Sequence, residues 1–111
     1  MRRLRVEFRP SANVDIATIF EYIFEASRGS AIAGRFIRRI RDRCERIGDV
    51  PLGGRPRDDL APGLRTVPFE RSAVIAYIVE GGAVQITNIF YGGRDYEALY
   101  PREPSIKDDK P

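Results

Sequence analysis

Residues 64–94, LRTVPFERSAVIAYIVEGGAVQITNIFYGGR, decide the fold of this chain. The run from Ala73 to Val79 is continuously apolar and rich in β-branched residues, which is typical of a strand covered on both faces. Flanking runs mix apolar and polar residues, as outer strands do. Gly81-Gly82 lies where a two-residue hairpin needs positive φ, which glycine adopts without steric cost. The stretch therefore predicts a three-stranded antiparallel β-meander that ends in Gly92-Gly93-Arg94-Asp95.

Proline in the first strand of this meander indicates where the sheet ends. Pro68 has no N–H group to give to a neighbouring strand, so its strand is expected at an edge of the sheet or at a bulge. An exposed edge can accept a further strand from another chain.

The segments before the meander predict one strand and two helices. Arg3 to Arg9 alternates apolar and charged residues, as a half-buried strand does, and Pro10 ends it. Ser11 or Asn13 is expected to cap the first helix, with Asp15 in its first turn. Its apolar stripe is wider than one packed face needs, so this helix either contacts two layers or leaves a patch for a partner: Val14, Ile16, Ile19, Phe20, Tyr22, Ile23 and Phe24.

The second helix has a regular amphipathic pattern between a cap at Ser30 and an end at Gly48. Its apolar residues recur at three and four positions, namely Ala33, Phe36, Ile37, Ile40, Cys44 and Ile47. The short joint predicts that the two helices form an antiparallel hairpin. The fold class is therefore α+β: an N-terminal strand, a helical hairpin and the β-meander, with the strands forming one sheet. Residues 1–100 are expected to form one domain and residues 101–111 a flexible tail.

Composition narrows the function classes. The chain has 111 residues, of which 42% are hydrophobic, which suits one domain with one core. No run is long and apolar enough to span a membrane and the N-terminus has no signal-peptide pattern, so a cytoplasmic protein is expected. Histidine is absent and Cys44 is the one cysteine, which excludes histidine triads, thiolate metal cages and internal disulfides. No cofactor or metal is expected.

Arginine dominates the charge. The chain has 19 basic residues, and two of them are lysines, Lys107 and Lys110, which leaves 17 arginines. This reflects either a codon bias or a surface built for anionic partners. In the irregular stretch 49–63, Arg55 and Arg57 either bind an anion or pair locally with Asp58 and Asp59, and local pairing is favoured slightly.

The ordered set of motifs resembles the RelE/ParE superfamily of bacterial toxins, over about residues 3 to 100, and resembles the ParE branch more than the RelE branch. The resemblance rests on Asp15-Ile16, Ile19 and Tyr22-Ile23 in the first helix, and on Ala33, Phe36-Ile37 and Ile40 in the second. It continues through Pro51, Gly54-Arg55, Gly63-Leu64-Arg65, Tyr77 and Gly93-Arg94-Asp95.

The two branches imply different functions. ParE-like toxins inhibit DNA gyrase and are binding proteins, whereas RelE-like toxins cleave messenger RNA at the ribosomal A site. By position, Arg71, Arg94 and Tyr100 match the ribonuclease residues, but the lysines of those enzymes have no counterpart here. The ParE reading is therefore favoured, with no catalytic residues and with Arg55, Arg65, Arg94 and Tyr96 as candidate target contacts. A basic binding domain without toxicity is the third alternative.

Either toxin branch implies a partner antitoxin, ParD-like under the favoured interpretation, which would bind operator DNA on behalf of the complex. Its flexible C-terminal segment would fold on the toxin. We expect a hydrophobic groove at Phe20, Phe24, Ile40 and Ile47 with arginines on its rim. The candidate antitoxin contacts are Phe20, Phe24, Arg39, Ile40, Ile47 and Phe69.

Overall fold

The meander forms as the sequence predicts and lies at the centre of a larger sheet. A computed structural model describes residues 3–101 of the chain. Its elements, in chain order, are β1 (Arg5–Phe8), α1 (Pro10–Ser27), α2 (Ser30–Ile47), β2 (Arg55–Pro56), β3 (Arg65–Phe69), β4 (Ala73–Glu80), β5 (Ala83–Tyr91) and a 3-10 helix (Tyr96–Leu99). Within residues 3–101 no helix has the length and apolar character needed to cross a membrane.

The sheet has five strands in the order β1-β5-β4-β3-β2, one more than the sequence predicts. The additional strand is the two-residue β2, which pairs antiparallel with β3. β1 pairs parallel with β5, from Arg5 opposite Ala83 to Phe8 opposite Ile86. The helical hairpin carries the chain from one edge of the sheet to the other, and the α+β class is confirmed.

Strand β4 is covered on both faces, as its apolar sequence predicts. Ile75 and Tyr77 face the helices and belong to the main core, with Ile40 and Cys44 of α2. Ala76 faces the other way and packs in a smaller cluster with Leu64 and Phe90. The loop before β3 and the segment after β5 therefore cover the second face of the sheet.

The second half of β3, which contains Pro68, lies at an edge of the sheet, as predicted. β2 covers β3 only at Arg65 and Thr66. The segment around Pro68, which is itself exposed, has no neighbour on that side among the described residues. The backbone nitrogen of proline therefore leaves no donor unpaired in the sheet.

Two turns of the meander use the left-handed region. Gly81 and Gly82 have φ values of 63° and 73° in the two-residue turn between β4 and β5, as expected. The turn between β3 and β4 places Glu70 and Arg71 at φ values of 48° and 60°, which is unusual for residues with side chains. Arg71 is thus held in a strained backbone conformation beside the end of β5.

The helix ends differ in part from expectation. α1 begins at Pro10 with Arg9 as its N-cap, so the expected cap at Ser11 or Asn13 is wrong. Proline suits this position because its missing N–H would be unpaired there in any case. The hydroxyl of Ser11 donates instead to the carbonyl of Thr87 on β5. Asp15 lies beyond the first turn, and its carboxylate accepts from the backbone N–H of Ile89 at 2.9 Å.

The apolar stripe of α2 is buried as predicted, and Gly48 is its C-cap. Ser30 is the first helical residue rather than the cap, which is Gly29. Cys44 is fully buried, and burial raises the pKa of its thiol to about 12. The expected flexible tail, 101–111, lies outside the described residues apart from Pro101.

Candidate functional site

The exit of the meander forms a concave site of about 240 Å³ with two arginines on it. Arg71 comes from the turn between β3 and β4, and Arg94 follows β5. Both are exposed, and neither guanidinium makes an ion pair with any of residues 3–101. The remaining lining residues are Pro68, Ser72, Ala73, Val74, Phe90, Gly93 and Tyr96, none of which is acidic. The site is therefore electropositive and suits an anionic group.

Tyr96 belongs to the lining of this site. Its ring stacks on Phe90 with the ring centroids 5.0 Å apart and an interplanar angle of 12°. Its hydroxyl oxygen accepts a hydrogen bond from Nη1 of Arg57 at 3.2 Å. The tyrosine is thus fixed both by stacking and by a charged donor.

Arg57 holds the segment after β5 against the loop before β3. Its guanidinium donates to both carboxylate oxygens of Asp59, at 3.0 and 2.8 Å, and lies 2.8 Å from Oε2 of Glu97. The hydrogen bonds to Asp59 and then to Glu97 raise the pKa of Arg57, while the bond to Arg57 lowers the pKa of Asp59. The predicted local pairing therefore holds for Arg57 and Asp59 but not for Arg55, which makes no ion pair with residues 3–101, and Asp58 accepts from the N–H of Gly63.

Tyr100, the candidate ribonuclease tyrosine, packs against the sheet and does not offer its hydroxyl to a ligand. Its ring contacts Phe90 edge to face at 6.2 Å between centroids. Its hydroxyl is buried near Thr87 but makes no hydrogen bond of good geometry among the described residues, and burial raises its pKa. A phenol in this environment is a poor base, because ionisation would leave a charge away from water.

The structure does not bring Arg65 together with Arg94. Arg65 begins β3 and pairs with Tyr77 in the middle of β4, whereas β5 ends at Tyr91, which pairs with Ala73 at the start of β4. Strand alternation also turns Arg65 to the helix side of the sheet, away from the concave site. Arg55 lies exposed on β2, near Arg65. The four candidate target contacts therefore occupy two separate regions.

Arg65 binds a loop. Its Nη1 donates to the carbonyl oxygens of Leu52 at 2.9 Å and Gly54 at 2.8 Å. Nothing in the sequence identified this contact, because the loop is 13 residues away at its farther point. Arg65 is thus first a structural residue that orders the segment before β2.

The groove expected to bind an antitoxin does not form as predicted. Ile40 is 0% exposed, and Ile47 and Phe69 are also buried in the core, so these three side chains do not line a surface groove. Each of the three lies on the face of its helix or strand that points into the main core. Phe20 is half-buried, and Phe24, stacked on it at 6.2 Å between centroids, is exposed. Arg39 is exposed and makes a bidentate ion pair with Glu70, at 2.8 and 3.0 Å.

Two other depressions border α1. One lies between the helices and is lined by Asn13, Ile16, Ala17, Phe20, Glu21, Ile37 and Arg41. The other, of about 290 Å³, lies between α1 and β5 and includes Tyr22, Tyr91 and Arg94. Val14 and Tyr22 are 63% and 61% exposed, so α1 leaves apolar surface unpaired, one of the two alternatives the sequence allowed.

Among residues 3–101 there is no cluster of three or more cysteine, aspartate or glutamate side chains suited to a metal ion.

Comparison with known proteins agrees with this geometry. A family model described as "ParE toxin of type II toxin-antitoxin system, parDE" matches residues 6–96. A solved structure titled "Chromosomal ParDE TA system from P. aeruginosa" is similar, with a TM-score of 0.69 and 22% identity over 81% of this chain and 97% of that one. At this identity the likeness shows a shared fold. No curated protein matches the chain significantly.

Proposed function

The chain belongs to the family of ParE toxins of type II toxin–antitoxin systems, and we propose that it acts by binding and inhibiting DNA gyrase. In this proposal it has no chemistry of its own and serves as the growth-inhibiting half of a pair with an antitoxin. The choice of target rests on the resemblance to ParE-like toxins.

One observation favours binding over catalysis: the lining of the concave site holds two arginines but no histidine, lysine or carboxylate. Its two charged side chains, Arg71 and Arg94, are both arginines, a residue type that serves as a charged hydrogen-bond donor rather than as an acid or base. The hydroxyl of Tyr96 already accepts a hydrogen bond from Arg57, and that of Tyr100 is buried. General acid–base catalysis needs a group whose pKa lies near the working pH, so this site is better suited to electrostatic recognition.

A gyrase supercoiling assay with purified chain tests this proposal. We expect inhibition together with trapped, cleaved DNA, and we expect Arg94→Ala to raise the inhibitory concentration about tenfold by removing one charged contact. Arg38→Ala is the matched control, because Arg38 is also exposed and lies on α2 away from the site. Gyrase that works normally in the presence of folded wild-type chain would refute this target.

The RelE-like alternative gives a different result in cells. Primer extension on messenger RNA after induction would show cuts at the ribosomal A site that vanish in Arg94→Ala and Tyr100→Phe. Such cuts would show that the function is messenger RNA cleavage and not gyrase inhibition. Intact messages together with a DNA-damage response agree with the proposal. A chain that has no effect on growth would instead support the third alternative, a basic domain without toxicity.

We further propose that a ParD-like antitoxin covers the exposed side of α1 and its groove with α2, and links the pair to operator DNA. Phe20 and Ile37 give this groove an apolar floor, while Arg41 and Glu21 line it. A flexible segment with alternating apolar and acidic residues would order itself there on binding. The toxin would act in the cytoplasm.

Phe24→Ala tests this surface, because Phe24 is 41% exposed and its loss leaves the core intact. Affinity for the antitoxin encoded beside the gene, measured by calorimetry, should fall about tenfold or more if the phenylalanine is an anchor. Leu99→Ala, a residue that is 51% exposed and distant in sequence from the helices, should leave affinity unchanged. Equal affinity for wild type and Phe24→Ala would remove this part of α1 from the interface.

A further inference from the structure

The segment Val50–Gly54, between α2 and β2, exposes two large apolar side chains on a well-fixed backbone. Val50 is 62% and Leu52 is 66% exposed. Single exposed apolar residues are common on protein surfaces, but here two of them lie two residues apart in one turn. A hydrogen bond of 2.9 Å from the N–H of Gly53 to the carbonyl of Val50 closes that turn.

Two side chains from the sheet fix this turn through four hydrogen bonds. The hydroxyl of Tyr77 donates to the carbonyl of Pro51 and accepts from the N–H of Gly54, both at 2.9 Å. Arg65 donates to the carbonyls of Leu52 and Gly54. The tyrosine is fully buried, so the turn is attached to the core of the domain.

Near the turn, the charged side chains that have no ion-pair partner within residues 3–101 are basic. Asp49 is already paired with Arg3 at 3.0 Å. Arg46 and Arg55, which precede and follow the turn, are exposed and make no ion pair with any residue from 3 to 101. Along the chain, the two exposed aliphatic side chains therefore lie between two exposed arginines that have no ion-pair partner within residues 3–101.

We propose that the Val50–Gly54 turn is a target-contacting element that inserts Val50 and Leu52 into an apolar recess edged by carboxylates on the inhibited protein. This inference rests on the proposed function and adds a second point of contact, held by Arg65 at the end of β3 that lies away from Arg94. Aliphatic side chains neither stack on bases nor bond to phosphates, so a protein fits the turn better than a nucleic acid.

In this proposal Arg65 is a positioning residue. A turn that is ordered before binding avoids the entropy loss of becoming ordered in the complex. Arg65 reaches two of the five carbonyls of the segment and so holds Leu52 in its exposed position. Its role in target binding runs through the turn and not through its own charge.

The test uses purified full-length chain in the gyrase supercoiling assay. We expect Leu52→Ser and Val50→Ser each to raise the inhibitory concentration about 30-fold, the loss typical of an interface anchor, with no change in melting temperature or antitoxin affinity. Leu99→Ser is the control for removing an exposed leucine elsewhere, and it should inhibit like wild type.

Arg65→Ala separates positioning from stability. Assayed well below its melting temperature, it should weaken inhibition, and Leu52→Ser should then add little in the Arg65→Ala background because both act through one contact. Additive losses would show that Arg65 does not act through the turn. Arg65→Lys, which can still donate to one carbonyl, should restore part of the inhibition.

Each failure has a distinct signature. A wild-type chain that leaves gyrase active defeats the proposed function, and the turn proposal falls with it. Inhibition by wild type that Leu52→Ser retains within about threefold defeats the turn alone. If light scattering shows that wild type self-associates and that Leu52→Ser is monomeric with full inhibition, the turn contacts a second copy and the proposed partner is wrong.

Discussion

The Tyr77 hydroxyl holds the turn after α2 against the sheet, and we expect its loss to lower the stability of the domain measurably. Tyr77 is 0% exposed, and its hydroxyl joins β4 to the turn that follows α2 through Pro51 and Gly54. Tyr77→Phe removes that oxygen and keeps the ring. Both backbone partners are themselves buried, so water replaces neither hydrogen bond fully.

The magnitude follows from those two hydrogen bonds. A net loss of about 1–1.5 kcal/mol for each bond gives about 2–3 kcal/mol, since a buried donor and a buried acceptor are left unpaired. For a domain of this size 1 kcal/mol corresponds to about 4 °C, so the melting temperature should fall by about 8–12 °C. The ring stays in place, so no cavity cost is added beyond that of one oxygen atom.

Urea and thermal unfolding followed by circular dichroism measure this effect. The urea midpoint should fall while the slope of the transition stays the same, because the change in exposed surface on unfolding is nearly unchanged. Tyr22→Phe is the matched control, because Tyr22 is 61% exposed. The free energy of unfolding of this variant should stay within about 0.5 kcal/mol of wild type. A Tyr77→Phe variant equally close to wild type would refute the claim that this hydroxyl fastens the turn.

Three further changes test other parts of the structure. Gly54→Ala should destabilise the fold by about 1–3 kcal/mol in urea unfolding, because its Cβ would lie 2.5 Å from the Tyr77 hydroxyl. Gly34→Ala should instead stabilise α2 by up to about 1 kcal/mol, because its Cβ would meet nothing within 4 Å beyond the adjacent backbone of its own helix. Arg71→Gly should raise stability by about 1 kcal/mol by relieving the positive φ, and Arg71→Ala, which keeps that strain, should not. Burial raises the pKa of Cys44 from an ordinary 9.0 to about 12, so above pH 9 the unfolded chain loses a proton that the folded chain keeps. Stability should then fall as the pH rises from 9 towards 12, by up to about 1.4 kcal/mol per pH unit, and a Cys44→Ala variant that shows the same slope would contradict this assignment.

At the candidate site, the sequence predicts ion pairs between residues close in the chain but not those between distant residues. The pairing of Arg57 with Asp59 could be predicted because the two residues are neighbours in the chain. The contact of Arg57 with Glu97 joins residues that only the packing of the last segment against the loop brings together. In the same way Arg65 and Arg94 are both candidate target contacts by sequence, but the sheet places Arg65 at the end of β3 that lies away from Arg94.

The sequence by itself determined the local elements of this protein. Hydrophobic periodicity predicted both helices and the meander, Gly81-Gly82 predicted the tight hairpin, and the ordered motifs pointed to the toxin family. These features depend on interactions between near neighbours, which composition and spacing reveal.

Only the tertiary structure decided the long-range relations. These are the parallel pairing of β1 with β5, the burial of Ile40, Ile47 and Phe69, and the attachment of the turn at Leu52 to Arg65. An apolar period shows which side chains share a face, but packing decides whether that face meets the core or a partner. A guanidinium can bind any carbonyl within reach, and the folded chain alone brings that carbonyl to it.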